Sequence, residues 1–498
     1  MRDVLRVFFI LLFMIAFSFG QETHEHGTPE KLGKVHFPTS CAPAVQGQFD
    51  RGVALLHSFA YSLAEKAFRE VTQSDPQCAM AHWGIAMTYF HQLWEPRIEP
   101  ASITLGQAEL KEASKMGGLS EKERRFVDAL TLVYDGAPEI PYPTRARKYE
   151  YAMKEIAVSN KDDLEAQVFY ALALLANVSP ADQTHAKQKE AAELLERCYR
   201  IAPQHPGIPH YLIHAYDNVE LAGKGDAAAR AYSQIAPSSP HALHMPSHIF
   251  TRLGLWEDSI KSNVAAGDAA HRQGDIGEEL HSMDYLVYAY LQASRDQDAM
   301  QVIQRLNAMT DLNKTDFKVG YAATAMPIRY VVERGQWAEA ATIVPPATAP
   351  AQVLAIAVWA RGLGLARTGH AAEARSEAVQ LKEIETELLK SGNEYWGNQA
   401  GLLSREVLAW AAQADNKTEE AAALLREAAD SEDAIEKLPV TPGPIVPARE
   451  QLGDLLLQQK RPDLALKEFN VALVNAPGRR GALRGKADAA RELAPPKP

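Results

Sequence analysis

The sequence predicts an all-α protein built from helix pairs stacked one on the next, and three observations carry that prediction. From Phe49 onward the chain is rich in Ala and Leu at helical spacing, and Gly, Asn, Asp or Pro interrupts the pattern every dozen or so residues. No convincing alternating run of the kind a half-buried strand needs is present. Two segments at opposite ends repeat one skeleton: Gly52, Ala64, Phe68, Val71, Pro76 and Gly453, Ala465, Phe469, Ala472, Pro477, with successive gaps of 12, 4, 3 and 5 in both.

Each position in that skeleton has a physical role. Gly52 and Gly453 let a paired helix approach closely, Ala64 and Ala465 are the small partners, and Phe68 and Phe469 fill the gap one turn later. A pair built this way leaves an apolar face that only the next pair covers. Weaker copies follow at Ala191, Leu195 and Pro203; at Trp337 and Ala340; at Gly362, Leu365 and Ala374; and at Ala409, Ala421, Leu425 and Ala428. The spacing resembles the tetratricopeptide repeat, a 34-residue unit of two antiparallel helices. The resemblance implies a right-handed α-solenoid of about eleven helix pairs between Ala44 and Pro477, capped by the polar helix ALRGKADAAREL. It also implies a concave groove that takes a peptide or protein partner. The chain is similar in this respect to exported bacterial tetratricopeptide proteins of uncharacterised activity, so the resemblance implies no reaction.

Composition narrows the function classes. The 498 residues carry 52 Lys and Arg against 63 Asp and Glu, a net charge of −11 with both signs interspersed, which excludes the basic footprint of a nucleic-acid binder. With 46% apolar residues a large core is expected. Three cysteines supply neither a dense disulfide framework nor a zinc ribbon.

The ends read as export. Arg2 and Arg6 precede the apolar stretch Val7 to Phe17, and Ser18-Phe19-Gly20 offers small residues for cleavage before Gln21. The expected organisation is a signal peptide over 1–20, an N-terminal tail over 21–43, and repeats over 44–203. His-rich central repeats over 204–311 and C-terminal repeats with the cap over 312–498 complete it. No downstream stretch is apolar for long enough to insert in a membrane, so a periplasmic or secreted protein is expected. In that oxidising setting Cys41, ahead of the first helix, and Cys78, at the start of the third, are candidates for a disulfide, while Cys198 reads as a buried thiol. Four longer connections, Glu95 to Ser120, the turn ending at Pro141, Pro345 to Pro350 and Leu438 to Pro447, mark places where the stack bends or divides.

The chemistry-bearing signal is histidine. Six of the 16 histidines (205, 210, 214, 241, 244, 248) fall within 44 residues. His210 and His214 are spaced i, i+4, His244 and His248 likewise, and the second pair follows the first by 34 residues, one full repeat. With Ser247 at the crossing position, His241, His244 and His248 lie on the groove side. One repeat earlier the same register places His210, His214 and Asp217, and one repeat later His281, Asp284 and Tyr288. Imidazoles of adjacent repeats about 10 Å apart can converge on zinc, copper or nickel, with Asp217 or Asp284 supplying oxygen.

Neither HYLIH nor HMPSH carries the glutamate of a zincin, so the alternatives are a metal-dependent hydrolase, a metal storage or delivery protein, and a polar groove lining with no metal. Pro246 either kinks its helix or starts it, and a start there takes His244 off the helix. Arg329, beside Pro327, is a candidate anchor for a carboxylate ligand or one half of a surface ion pair. His24, His26 and His36 form a weaker metal candidate, and Trp83, Tyr89 and Trp94 either line a pocket or pack in the core.

Overall fold

A computed structural model describes residues 30–93, 98–346 and 348–494. The expected signal peptide, the His24 and His26 pair and Trp94 lie outside the described residues. From Lys31 onward every regular element among the described residues is helical, and successive helices pack as antiparallel pairs.

The sequence skeleton explains the packing. Phe68, on helix Tyr61–Ser74, lies between Gly52 of its own pair and Gly84 of the next, and a Cβ on either glycine would sit 2.6 Å from its ring. Phe469, on helix Pro462–Asn475, lies in the same way between Gly453 and Gly485. The turn between paired helices is also repeated: Gly254, Ser294, Gly335, Gly369, Asn416 and Lys460 all take a left-handed backbone there. Five of these six are Gly, Ser or Asn and the sixth is the unbranched Lys460, as the left-handed region favours. The first such turn is occupied by Phe59, at φ 53°.

Two large cores form, one from Leu32 to Phe250 and one from Tyr321 to Ala489, with a smaller cluster around Ile260 to Tyr330. Trp83 is core, whereas Tyr89 is half-buried and binds Glu65 and Arg69. Cys41 and Cys78 form a disulfide with Cα atoms 4.7 Å apart, and Cys198 is a buried free thiol. No helix among the described residues is long and apolar enough to cross a membrane.

Two of the expected connections differ in the structure. Glu95 to Ser120 contains helix Pro100–Lys115, because Pro100 fits the first turn and Gly106, Leu110 and Ala113 give it a buried face. Leu438 to Pro447 has no helix and folds back across the middle of the chain, where Tyr285 donates to the Thr441 carbonyl at 3.0 Å. Other distant ties run from Lys34 N–H to the Gln204 carbonyl (2.8 Å) and from Glu436 N–H to the Pro180 carbonyl (2.8 Å). The surface expected to be an open groove at the histidines is therefore filled by the chain itself.

Candidate metal centre

The central histidines come from four helices whose starts are set locally. Ser239 and Asp275 each accept a backbone N–H three residues on, capping Pro240–His244 and Ile276–Gln292, and Asp316 does the same for the neighbouring helix Phe317–Glu333, which carries Arg329. Helix Gly207–Tyr216 presents His210 and His214 one turn apart. Pro246 starts a new helix, Pro246–Arg252, in the N-terminal position that tolerates proline. His244 is then the last residue of the preceding short helix, yet Met245 stays helical and keeps it in line with His248.

Two imidazole triads result. His210 Nε2 lies 3.2 Å from His214 Nε2 and 3.1 Å from His241 Nε2. In the second, His244 Nε2 lies 3.1 Å from His248 Nε2, and His281 completes the group with a ring nitrogen within 4.8 Å of both. The short helix Pro240–His244 serves both triads, giving His241 to one and His244 to the other, with ring centroids 6.2 Å apart. All six side chains are buried except His214, which is partly exposed.

The opposite ring nitrogens fix the tautomers. His210 Nδ1 donates to the His57 backbone carbonyl at 2.6 Å, and His248 Nδ1 donates to Asp217 Oδ2 at 2.9 Å. His244 Nδ1 donates to Asn263 Oδ1 at 2.7 Å, since the Asn263 amide nitrogen is spent on the Ser259 carbonyl. His241 Nδ1 faces Glu278 Oε2 at 3.3 Å. Burial, followed by neighbouring histidines, holds His210, His214, His244 and His281 well below the usual imidazole range. Burial also lowers His248 to about 4 against the opposing pull of Asp217. His244 and His248, neutral with Nδ1–H, point bare Nε2 lone pairs at each other, and His210 presents its own to His214 and His241. A cation between them removes that repulsion.

Asp217 and Asp284 do not take the ligand positions expected of them. Burial opposes ionisation of Asp217, but Lys437 and Arg252 hold its carboxyl well below the usual range, and both cations are ion-paired with it. Its role is to orient His248. Asp284 is buried against Arg329 at 3.4 Å, so Arg329 is neither a groove anchor nor a surface pair. The Arg329 guanidinium also lies 5.0 Å from the centre of the Tyr288 ring in a cation–aromatic stack, and Tyr288 lines a cavity in the chain. His36 pairs with Asp50 at 3.0 Å.

Sequence reasoning missed two features of this region. Phe59 lies against the first triad, with ring centroids 4.5 Å from His210 and 5.4 Å from His241. A third buried cluster joins His57, Glu165 and His205, with both imidazoles at 2.9 Å from the carboxylate. Burial opposes ionisation of Glu165, but His205 and His57 bring its carboxyl down to about 2. Phe59, His57 and Glu165 are isolated in sequence, so spacing gives no sign of them, and His205, although counted in the histidine cluster, turns to Glu165 instead of joining the triads.

No protein-family model matches the sequence, and no curated protein matches it. Solved structures give a coarse likeness. The chain is similar to the TPR domain of P58(IPK), at 12% identity over 90% of this chain and 98% of that one, with a TM-score of 0.24. It is similar to the Cut9–Hcn1 hetero-tetramer of the APC/C, at 12% identity over 90% and 76%, with a TM-score of 0.35. The corresponding values for yeast Tom70 are 11%, 89%, 87% and 0.36. The fold is tetratricopeptide-like, as its own glycine and phenylalanine packing describes.

Proposed function

We propose that this protein holds two divalent transition-metal ions, zinc, copper or nickel, one in each histidine triad. The observation that carries the reading is the convergence of Nε2 atoms at 3.1–3.2 Å while the Nδ1 atoms of His210, His241, His244 and His248 are engaged from outside. A tetrahedral ion with metal–nitrogen bonds of about 2.0–2.1 Å spaces its ligands about 3.3 Å apart, so the triads need little adjustment to close on one. Carboxylates donating orientation from behind metal-bound imidazoles are the usual outer support of such sites.

Storage or delivery of metal fits this arrangement better than water activation. Asp217 and Glu278 are committed to the Nδ1 side of the rings and to Lys437, Arg252 and Lys318, so neither stands as a general base facing the Nε2 side. Export belongs to the same reading, supported by the apolar stretch Val7 to Phe17 and by the Cys41–Cys78 disulfide, which suits an oxidising compartment. Binding of a peptide or protein partner rests on the repeat architecture alone, at surfaces other than the buried histidines.

Metal analysis of the purified protein, followed by calorimetric titration of the stripped protein with zinc, copper and nickel, tests the reading. Two ions per chain are expected, falling to one in His210→Ala and to one in His248→Ala. Binding no tighter than about 10 μM, or unchanged stoichiometry in both variants, overturns it.

A further inference from the structure

Apart from the histidines, the chain encloses a cavity of about 440 Å³, within the size range of small-molecule sites. It lies between helices Ala351–Arg367, Glu394–Ala414 and Thr418–Asp433 and the returning segment Leu438 to Pro447. Its aromatic walls include Tyr321, Trp359, Tyr395 and Trp396, and of its acid groups Glu220, Glu436 and Asp433 are paired with Lys189, Arg252 and Arg449, which leaves Glu406 and Glu432.

Charge pairing around the cavity is uneven. Each cation on its wall is already matched: Arg252 by Asp217 and Glu436, Lys437 by Asp217, and Arg449 by Asp433 and Glu468. Glu406 and Glu432 have no ion-pair partner among the described residues. Glu406 is 1% exposed, and both hydrogen bonds it accepts, from Trp359 Nε1 at 2.6 Å and Gln451 Nε2 at 2.8 Å, fall on Oε2. Both bonds leave Oε1 unengaged, and Glu406 lines the cavity. Glu432 Oε2 accepts the Ala448 N–H at 2.7 Å.

We propose that this cavity binds an organic ammonium ion, with Glu406 and Glu432 as counter-ions and Trp359, Trp396 and Tyr395 as the aromatic walls around the charge. Two carboxyl groups without a cation, set in a cavity of indole and phenol faces, match a small alkyl diammonium in charge and in surface. An anion meets acid groups there, and a neutral molecule gains nothing from their ionisation. Burial keeps the empty site protonated, pushing Glu406 up to about 8 and, with Glu406 beside it, Glu432 well above the usual range. An arriving cation displaces those protons to solvent and takes their place.

Isothermal titration of the full-length protein with 1,4-diaminobutane is the test, with butane-1,4-diol as the uncharged counterpart of equal length. Binding of the diamine with a dissociation constant below about 1 mM is expected, with no heat from the diol. Glu406→Gln keeps the size of the side chain and its bond to Trp359, and is expected to weaken binding about tenfold or more. Glu432→Gln, at the more open end of the pair, gives a second reading should the first variant fold poorly. Absence of diamine binding in the parent, equal binding of the diol, or unchanged affinity in the folded variants overturns the proposal. None of these outcomes touches the metal stoichiometry, which is read separately.

Discussion

Asn263 turns its amide oxygen to His244 Nδ1, 2.7 Å away, while its amide nitrogen donates to the Ser259 carbonyl at 2.8 Å. This orientation sets the His244 tautomer that leaves Nε2 bare. Asn263→Leu keeps the volume and removes the acceptor, so the ring is free to place its proton on Nε2. One of the two metal sites is expected to weaken about 10–100-fold and the other to keep its affinity. Two-site calorimetry of the variant checks this; equal affinities at both sites count against an orienting role.

The glycines around Phe469 allow a prediction about the repeat itself. A methyl group at Gly453 would lie 2.6 Å from Phe469 Cε1, and the ring cannot retreat because Gly485 packs on its other face. Gly453→Ala is expected to cost about 1–3 kcal/mol by overpacking, although alanine is the better helix former. Urea denaturation measures it. A neutral or stabilising outcome would mean that the neighbouring helices slide apart cheaply.

How much was legible before the structure depends on whether a feature leaves a local trace. Gly52, Phe68, Gly453 and Phe469 carry the repeat because close helix packing demands small and aromatic residues at fixed spacing. The 34-residue offset between His210, His214 and His244, His248 likewise follows from one register on adjacent units. His241 and His281 were readable from the same register. The place of Asp217 was not, because its partners Lys437 and Arg252 reach it from residues distant in sequence, and an ion-paired carboxylate turns away from the Nε2 side. His57, Glu165, Asn263 and Phe59 gave no pattern, since each enters the site singly from a different helix or turn. Closure of the middle by Leu438 to Pro447 depends on tertiary contacts such as Tyr285 to Thr441 and has no periodic signature.

Glu406 gives the fold a definite dependence on pH. Its carboxyl is pushed up to about 8 by burial, opposed by hydrogen bonds from Gln451 and Trp359, against an ordinary value of 4.5. Between those values the folded chain holds a proton that the unfolded chain has lost, so this group makes stability fall as pH rises from about 5 to about 8, and level off above. Glu432, raised by burial and by Glu406, acts in the same direction. Glu406→Gln is expected to gain on the parent in thermal midpoint across that window. Parallel curves for the two proteins between pH 5 and 8 would show that Glu406 ionises freely in the folded state.

Arg479 ties the capping helix to the middle of the chain, and its removal tests how strongly. The side chain is fully buried, with Nε at 2.8 Å from Glu450 Oε2 and its terminal nitrogens at 2.9 and 3.0 Å from the two oxygens of Glu333. Its guanidinium also stacks 5.7 Å from the centre of the Tyr288 ring. A planar fork that serves two carboxylates at once is something only arginine provides, so Arg479→Lys should not rescue it fully. Truncation to Met leaves Glu333 and Glu450 buried without a counter-charge, which is expected to cost about 3–5 kcal/mol, far more than the net worth of the intact triad. The distinction is measurable. If Arg479→Met, Glu333→Gln and Glu450→Gln are combined, the stranded charges are gone, and much of the loss in urea midpoint should return. A triple variant as unstable as Arg479→Met alone would show instead that the arginine acts through its packing on Tyr288 and not through its charge.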